Sequence, residues 1–424
     1  MIDIEAEECR KVRCLLVGRQ DGRISELCGL ADTLGMERAG TVVLTRTDVQ
    51  PAYGMGKGKA QEIASLAKES DADCIIFDFD LPPTKQRNWE KLSGIPCFDR
   101  QEVILRIFAQ RARTKEAVLQ VELARLVYSL PRLAHSYGDM ARQRGGSYGA
   151  KGAGETQLEL DQRRVRERIY RTKKELAAVV RTRGTQHKKR RSVPVPECAL
   201  VGYTNAGKSS LMNALTGADA FVEDKLFATL DPLTRRLRLK DGTGILLTDT
   251  VGFISSLPHS LIDAFESTLA EARRADLLLV VIDASDPDAE FHHSVVSGVL
   301  SEIGAAENPQ LVVLNKIDKI EGDASACARL RAAFPGAVWV SARTGAGFGG
   351  LAGRISSLLL GGVKEFLVPA AEGALLAALR ADGAVLSEEW LDGAARIRAK
   401  VSGRTAALAQ RYLVPPREEA DDSE

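Results

Sequence analysis

The chain has 424 residues, too many for one ordinary hydrophobic core, and this length predicts roughly two to four domains. Apolar residues make up 45% of the chain and charged residues 27%, as in an ordinary globular protein. The net charge of +1 excludes a global field that would attract nucleic acid or membranes, although an average can hide local runs of charge.

Cysteine usage and the first residues bear on the compartment. The seven cysteines include no C-x-x-C pair, a pattern typical of reduced thiols inside cytosolic proteins. The acidic start Met1–Glu8 is unlike a signal peptide, and no apolar run is long enough to span a membrane. We therefore expect a cytoplasmic, monomeric protein without a membrane span.

Residues 1–100 alternate strand and helix patterns, which predicts a small α/β domain. Two stretches within it attract attention. Gly54–Lys59 has three glycines and two lysines before a helix, so it is either an anion-binding loop or a flexible turn. Leu81–Asn88 is polar and basic and is expected to be a loop, with a binding role or simply at the surface.

Residues 101–191 have the pattern of a helical arm. An apolar seam over Glu102–Leu133 predicts one long helix, with Pro131 near its end as a helix breaker. A second seam over Leu158–Val179 predicts an antiparallel helical hairpin; the alternative is that both seams are core faces of separate helices. The connection, His135–Thr156, contains six glycines, and a loop of roughly twenty residues between two helices is long enough to invite a functional explanation.

The arm is strongly basic. Residues 141–191 contain 16 Lys and Arg against five Asp and Glu, a net charge of +11. A glycine loop on a positive arm suits the RNA backbone, although a solvated helix face followed by a disordered linker has the same composition. The candidate RNA-binding residues are Arg142, Arg144, Lys151, Arg163 and Arg164.

The stretch from Gly202 to Ser209 has the spacing G-x-x-x-x-G-K-S between a short apolar run and a helical pattern. Such a loop points backbone N–H groups at phosphates, while Lys208 reaches the outer phosphates and Ser209 takes Mg²⁺. Thr229, in an irregular stretch, is expected to reach Mg²⁺ and the terminal phosphate, with Thr234 as the competing candidate. After a strand, Asp249 would hold Mg²⁺ and the Gly252 amide would bond the γ-phosphate.

Two later motifs predict guanine rather than adenine. The Asp318 carboxylate can accept both guanine N1–H and the exocyclic amine, a pair that adenine lacks. Asn315 would bridge loops, Lys316 would lie over the base, and a serine–alanine loop would approach guanine O6. The candidate GTP- or GDP-binding residues are Gly202, Tyr203, Thr204, Asn205, Ala206, Gly207, Lys208, Ser209, Phe227, Ala228, Thr229, Leu230, Asp231, Asp249, Thr250, Val251, Gly252, Asn315, Lys316, Ile317, Asp318, Ser341, Ala342 and Arg343.

Within this set, Lys208, Thr229 and Gly252 are the candidate catalytic residues, and Ser209, Thr229 and Asp249 are the candidate Mg²⁺ ligands. Phe253 stands where many hydrolytic switches have a water-orienting glutamine. We therefore expect slow intrinsic hydrolysis that a partner or an ion completes, with Asn205 as a candidate K⁺ ligand.

The predicted fold is α/β and multidomain. A P-loop GTPase domain over residues 192–362 has a mostly parallel sheet with helices on both faces. The α/β domain over 1–100 and the hairpin arm over 101–191 precede it, and a small α+β domain over 363–424 follows. The acidic tail Arg417–Glu424 is expected to be disordered.

These motifs together resemble the HflX family of translation-associated GTPases. The resemblance rests on the glycine-rich stretch Gly152–Leu158, the phosphate loop and the Asp249–Phe253 motif, and it covers roughly residues 10–365. It implies binding to the large ribosomal subunit and its RNA, and splitting of stalled ribosomes under stress with ribosome-stimulated hydrolysis of GTP to GDP and phosphate. The alternatives are a ribosome-assembly GTPase and a nucleotide-dependent RNA-remodelling enzyme.

Overall fold

A computed structural model describes residues 11–19, 24–45, 52–143, 151–190, 195–217, 225–239, 242, 244–255, 266–360, 362–382, 384–401 and 403–414. For residues 134–143, 151–158 and 183–190 it describes only the helical backbone. The described residues pack as two units. The first contains the chain up to Val179 together with Lys225–Phe227, and the second contains most of the remainder.

The first unit contains a four-stranded parallel sheet in the order β2-β1-β3-β4. Its strands have buried apolar runs, such as Leu15–Val17 and Ile75–Phe77, because helices cover a parallel sheet. This architecture confirms the small α/β domain. The strands are β1 Arg13–Arg19, β2 Glu37–Leu44, β3 Cys74–Phe77 and β4 Cys97–Asp99, and the helices are α1 Ile24–Thr33, α2 Lys57–Glu69, α3 Pro83–Ser93 and α4 Arg100–Arg111.

The expectation of a loop over Leu81–Asn88 is wrong, because α3 begins at Pro83. Proline is favoured in the first helical turn, where its missing N–H costs nothing. The helix then buries Trp89, whose Nε1 donates a hydrogen bond to Tyr53 O at 3.0 Å. The helix ends at Gly94, which adopts a left-handed conformation.

The expectation of one continuous helix over Glu102–Leu133 is also wrong. Helix α4 ends at Arg111, Ala112 is extended, and a second helix, α5, runs over Lys115–Gln143. Thr114 caps the new helix: its Oγ1 accepts a hydrogen bond from Ala117 N at 3.2 Å. The seam is not one continuous buried face, since Ala109 is exposed and Ala112 is half-buried.

Helices α5 and α6 (Lys151–Arg190) form the arm. Arg168 Nη2 lies 2.6 Å from Glu122 Oε1, so one ion pair connects the two helices. The antiparallel hairpin remains a prediction. Pro131 lies inside α5 and not at its end. The predicted loop over His135–Thr156 is wrong at both ends, since α5 continues to Gln143 and α6 begins at Lys151.

The second unit contains a six-stranded sheet in the order β10-β9-β8-β5-β7-β6. All its pairings are parallel except that of β6 with β7, and the central strand β8 is almost entirely buried. Its strands are β5 Glu197–Gly202, β6 Leu233–Arg238, β7 Gly244–Asp249, β8 Leu277–Asp283, β9 Gln310–Asn315 and β10 Val338–Trp339. Its helices are α7 Lys208–Thr216, α8 Glu266–Arg274, α9 Ala289–Glu302, α10 Ala324–Ala333 and α11 Phe348–Leu359.

The same unit ends in a three-stranded antiparallel sheet, β11-β13-β12, which packs with two helices on a separate core. This confirms the small α+β region. Strand β12 has eight residues, and the short last helix is followed by a 3₁₀ turn over Gln410–Tyr412. The elements are β11 Lys364–Pro369, α12 Gly373–Asp382, β12 Ala384–Leu391, β13 Ala394–Lys400 and α13 Gly403–Leu408.

The tail Arg417–Glu424 lies outside the described residues. Among the helices that are described, none is both long enough and apolar enough to cross a membrane.

Candidate nucleotide-binding site

The phosphate loop connects β5 to the N-terminus of α7. The loop turns into the helix at Gly207, which has a left-handed φ of 87°. A Cβ at this position would lie 2.4 Å from Asn315 Nδ2, so both the backbone conformation and the neighbouring side chain require glycine. The free amides of the first turn of α7 therefore sit directly after the loop, as phosphate binding requires.

Lys208 is held over this loop. Its Nζ is buried and donates hydrogen bonds to Gly202 O at 3.1 Å and Tyr203 O at 2.9 Å. Burial lowers the pKa of the ammonium to about 8, although the nearby Asp249 carboxylate acts in the opposite direction. Phosphate oxygens placed here would be close to a desolvated cation.

Three oxygen-bearing side chains converge beside Lys208. Ser209 Oγ donates to Asp249 Oδ2 at 2.5 Å, Thr229 Oγ1 donates to the same oxygen at 3.0 Å, and the two hydroxyl oxygens lie 2.7 Å apart. Burial raises the pKa of Asp249, while the Lys208 charge and these hydrogen bonds oppose the rise. Among the described residues, the buried Asp249 Oδ1 has no hydrogen-bond partner.

Such a cluster fits Mg²⁺. The ion prefers oxygen ligands, and the cluster offers two hydroxyl oxygens, one carboxylate oxygen that both hydroxyls contact and a second carboxylate oxygen that needs a partner. Ser209, Thr229 and Asp249 would hold it. The competing candidate Thr234 lies within β6, where its Oγ1 pairs with Thr248 Oγ1 at 2.9 Å. Geometry therefore favours Thr229 as the switch threonine.

Gly252 follows the Asp249 strand and packs directly on the phosphate loop. A Cβ on Gly252 would lie 2.9 Å from Thr204 Cα and 3.0 Å from Lys208 Nζ. The next residue, Phe253, is 2% exposed, so its side chain belongs to the core. Its backbone is bonded to the loop, since Phe253 N–H donates to Gly202 O and Thr204 N–H donates to Phe253 O.

The motif after β9 closes the opposite end of the site. Asn315 bridges two loops: its Nδ2 donates to Ala206 O, and its Oδ1 accepts from Ala342 N, both at 3.0 Å. Lys316 Nζ donates to Asn205 O at 2.7 Å and pairs with Asp283 Oδ2 at 2.8 Å. Asp283, at the end of β8, was not among the residues expected from the sequence, and its position at the carboxyl end of a buried strand was the available signal.

Asp318 is prepared as an acceptor. Its Oδ1 accepts from Ser341 Oγ at 2.6 Å, and its Oδ2 lies 3.0 Å from Arg343 Nη2. The Ser341 hydrogen bond and then the Arg343 charge lower the pKa of the carboxyl, so it is ionised near neutral pH. An ionised carboxylate at this point can accept two guanine N–H groups.

Other candidate residues are placed differently. Phe227 belongs to the first unit, where its ring meets that of Phe108 edge-on at 4.7 Å between centroids, and Leu230 is buried. Of the arm residues, Arg163 and Arg164 have highly exposed side chains, 76% and 74%. The side chains of Arg142 and Lys151, and all of Arg144, lie outside what the structure describes.

Comparison with known families agrees with this geometry. Three family profiles match successive parts of the chain: "GTP-binding GTPase N-terminal" over residues 21–109, "GTP-binding GTPase Middle Region" over 111–190 and "50S ribosome-binding GTPase" over 197–316. Among solved structures, a GTP-binding protein from the archaeon Sulfolobus solfataricus in complex with GDP is 26% identical, covering 82% of this chain and 98% of that chain, with a TM-score of 0.44.

Curated relatives match over most of their length. A "GTPase HflX" from Akkermansia muciniphila is 44% identical, with 88% of this chain and 89% of the relative covered. The protein of that name from Caldanaerobacter subterraneus is 47% identical over 73% and 74%, and that from Escherichia coli is 42% identical over 87% of each. Because identity this high extends across the N-terminal region, the arm and the nucleotide loops alike, the chain belongs to the HflX family of GTPases and is a GTP hydrolase of a translation-associated family.

Proposed function

We propose that this GTPase binds the large ribosomal subunit in the cytoplasm and splits stalled ribosomes under stress, with GTP hydrolysis as the timed release step. The observation that carries the proposal is the exposed basic face of α6, on which Arg163 and Arg164 project into solvent. Exposed cations along a helix suit RNA phosphates. The "50S ribosome-binding GTPase" description matched by residues 197–316 supports the same partner.

The proposed switch acts through two short segments beside the phosphate loop. The γ-phosphate of GTP would meet the Thr229 backbone region and the Gly252 amide, and its loss would release both. Bound Mg²⁺ would neutralise phosphate charge, held by Ser209, Thr229 and Asp249. Because Phe253 cannot orient water, hydrolysis would be slow until the ribosome, or K⁺ near Asn205, completes the site.

We also propose the division of labour among four regions. Residues 1–100 and 101–191 would form the RNA-directed part, residues 192–362 the GTPase, and residues 363–424 an accessory domain. The monomer would be the working form. Each region but the last has a matching family profile, which supports this assignment.

Sedimentation tests the proposal. Purified protein is mixed with intact ribosomes and GTP, and the products are separated on a sucrose gradient. Appearance of free subunits with GTP, but not with GDP, is the expected result. Lys208→Ala, which removes the cation at the phosphates, should abolish splitting while the protein remains folded.

Other outcomes identify the alternatives. Intact ribosomes, with binding to immature large subunits only, would replace the proposal by an assembly role. Unwinding of free RNA that survives Lys208→Ala would instead place the activity in residues 1–100. Exchange of K⁺ for Na⁺ at constant ionic strength separately tests Asn205: hydrolysis that is indifferent to the cation contradicts the K⁺ assignment.

A further inference from the structure

A histidine outside all of the nucleotide motifs is packed against the phosphate loop. His292 lies in the first turn of α9, and its ring stacks on Tyr203 with 3.8 Å between centroids and 17° between planes. The His292 side chain is 22% exposed and Tyr203 is 7% exposed, so the stack is largely shielded from water. Stacked rings of this kind restrain one another's orientation.

The orientation of His292 is itself held. Its Nδ1 lies 3.2 Å from Asp286 Oδ2, and the other carboxylate oxygen accepts a hydrogen bond from Asp288 N at 2.9 Å. Partial burial alone would raise the pKa of Asp286, but the hydrogen bond and charge of His292 outweigh it, and the pKa lies below its ordinary value. A charged, backbone-anchored carboxylate therefore fixes the imidazole.

Tyr203 in turn contacts the segment that follows Asp249. Its Oη accepts a hydrogen bond from Ser255 N at 2.7 Å, and its backbone forms a β-bridge with Phe253. On either side of that bridge, Thr204 N–H donates to Phe253 O at 2.7 Å and Phe253 N–H donates to Gly202 O at 3.1 Å. The segment from Gly252 to Ser255 is thus tied to the phosphate loop by both backbone and side chain.

We propose that His292 is a positioning residue for GTP hydrolysis. It holds the Tyr203 ring, and the ring holds Gly252–Ser255 where the Gly252 amide meets the γ-phosphate. The effect falls on the γ-phosphate step, because the Tyr203 hydroxyl holds Ser255 N in the segment after Gly252, whereas Asp318 is held separately by Ser341 and Arg343. A misplacement of about 1 Å can cost roughly a hundredfold in rate.

Two substitutions separate stacking from hydrogen bonding. His292→Asn keeps a donor near Asp286 but removes the ring, whereas His292→Phe keeps the ring and removes the donor. We expect single-turnover GTP hydrolysis to fall about tenfold in the asparagine variant and no more than about threefold in the phenylalanine variant, with the Kd for GDP within about twofold of wild type in both. Equal losses in hydrolysis and GDP affinity overturn the proposal.

An exposed residue on the same helix provides the control. Ser294 Oγ donates to Phe291 O at 2.7 Å on the exposed side of α9, and Ser294→Ala should leave the hydrolysis rate unchanged. A tenfold loss in that variant would mean that any damage to α9 slows hydrolysis, and the assignment of His292 would fail.

Hydrogen exchange reports the restraint directly. In His292→Asn the Ser255 amide should exchange faster than in wild type, while amides of β8 keep their protection. Tyr203→Phe, which removes only the hydroxyl, should raise Ser255 exchange and slow hydrolysis in the same way, and it carries the test if His292→Asn does not fold. Unchanged Ser255 exchange in Tyr203→Phe contradicts the proposed relay.

Discussion

Asp318 is the candidate residue for recognition of the base. Its two oxygens are held by different partners, Ser341 on one side and Arg343 on the other, and the carboxyl is kept ionised. Ser341 comes from the loop after β10, so the acceptor is aligned by a residue far along the chain. Guanine has the two donors that match it, and adenine does not.

We predict that Asp318→Asn weakens GDP binding about a hundredfold, or about 3 kcal/mol, because an amide presents a donor where guanine also presents one. Competition between GTP and ATP, measured with a fluorescent guanine nucleotide, gives the change in preference. Arg343→Ala is the matched control, since it removes the exposed partner of the same carboxylate and should cost no more than about threefold. An Asp318→Asn protein that still prefers GTP as strongly as wild type contradicts the assignment.

A second prediction about a single residue concerns Gly252. In Gly252→Ala the new methyl would meet Thr204 and the Lys208 ammonium at about 3 Å, so the segment must move away from the γ-phosphate. We expect a roughly hundredfold loss of hydrolysis with GDP affinity nearly intact. Gly298→Ala, on the open side of α9 with nothing within 4 Å of the new methyl, should leave both values unchanged. Equal effects of the two substitutions would exclude a specific role for Gly252.

At the scale of elements, most of the described side chains of α6 are exposed to solvent. Among the described residues, Arg163 and Arg164 pair with acids one turn away, Glu167 and Asp161, and ion pairs of such exposed arginines contribute little to stability. Substitutions here should therefore change binding and leave folding alone. A substitution of Arg168 should affect folding as well, because its ion pair with Glu122 joins α6 to α5.

We predict that Arg163→Glu combined with Arg164→Glu weakens binding to the large ribosomal subunit by roughly ten- to a hundredfold and lowers the salt dependence of log Kd by about two. Basal GTP hydrolysis and Tm should not change. Arg273→Glu with Arg274→Glu in the last turn of α8, the same charge reversal at two adjacent exposed arginines, is the control for a general electrostatic effect. Subunit binding that survives the α6 change places the RNA contact elsewhere.

At the scale of the whole chain, hydrophobic clusters lie in three separate regions of the described residues. One lies under the four-stranded sheet, one under the six-stranded sheet and one around Phe366, Leu379 and Ile397 in the last sheet. Helix α12 nevertheless approaches β7, since a Cβ at Gly244 would lie 3.6 Å from Ala381 O. The last domain therefore has its own core, and its helix α12 lies close to the first residue of β7.

A truncated chain that ends at residue 362 tests whether the rest of the protein folds without the last domain. We expect it to fold and to bind GDP within about threefold of the full chain, because every candidate nucleotide-binding residue precedes residue 344 and the six-stranded and last sheets each have a hydrophobic cluster. Calorimetry and circular dichroism measure affinity and folding. A truncated protein that aggregates or loses GDP would show that the last two sheets fold as one body.

Features that depend on neighbours in sequence were predictable from the sequence alone. The phosphate loop, the Asp249 and Asn315–Asp318 motifs and the buried strands before them are local patterns, and local spacing is what fixes a loop between a strand and a helix. The break at Ala112–Thr114 was missed because the apolar seam runs through it unchanged, although Thr114 was a visible capping residue.

The tertiary structure determined side-chain contacts that the spacing of residues in the sequence could not predict. Whether Thr229 or Thr234 faces Asp249 depends on where β6 begins, and the partners of Lys316 and Tyr203 lie on other elements: Asp283, at the end of β8, and His292, on α9. Such contacts join residues from different strands and helices, so they exist only once the sheet has brought those elements together. Sequence alone therefore determined the family and the order of the candidate nucleotide motifs, whereas the fold decided which side chains from other elements pack against the phosphate loop.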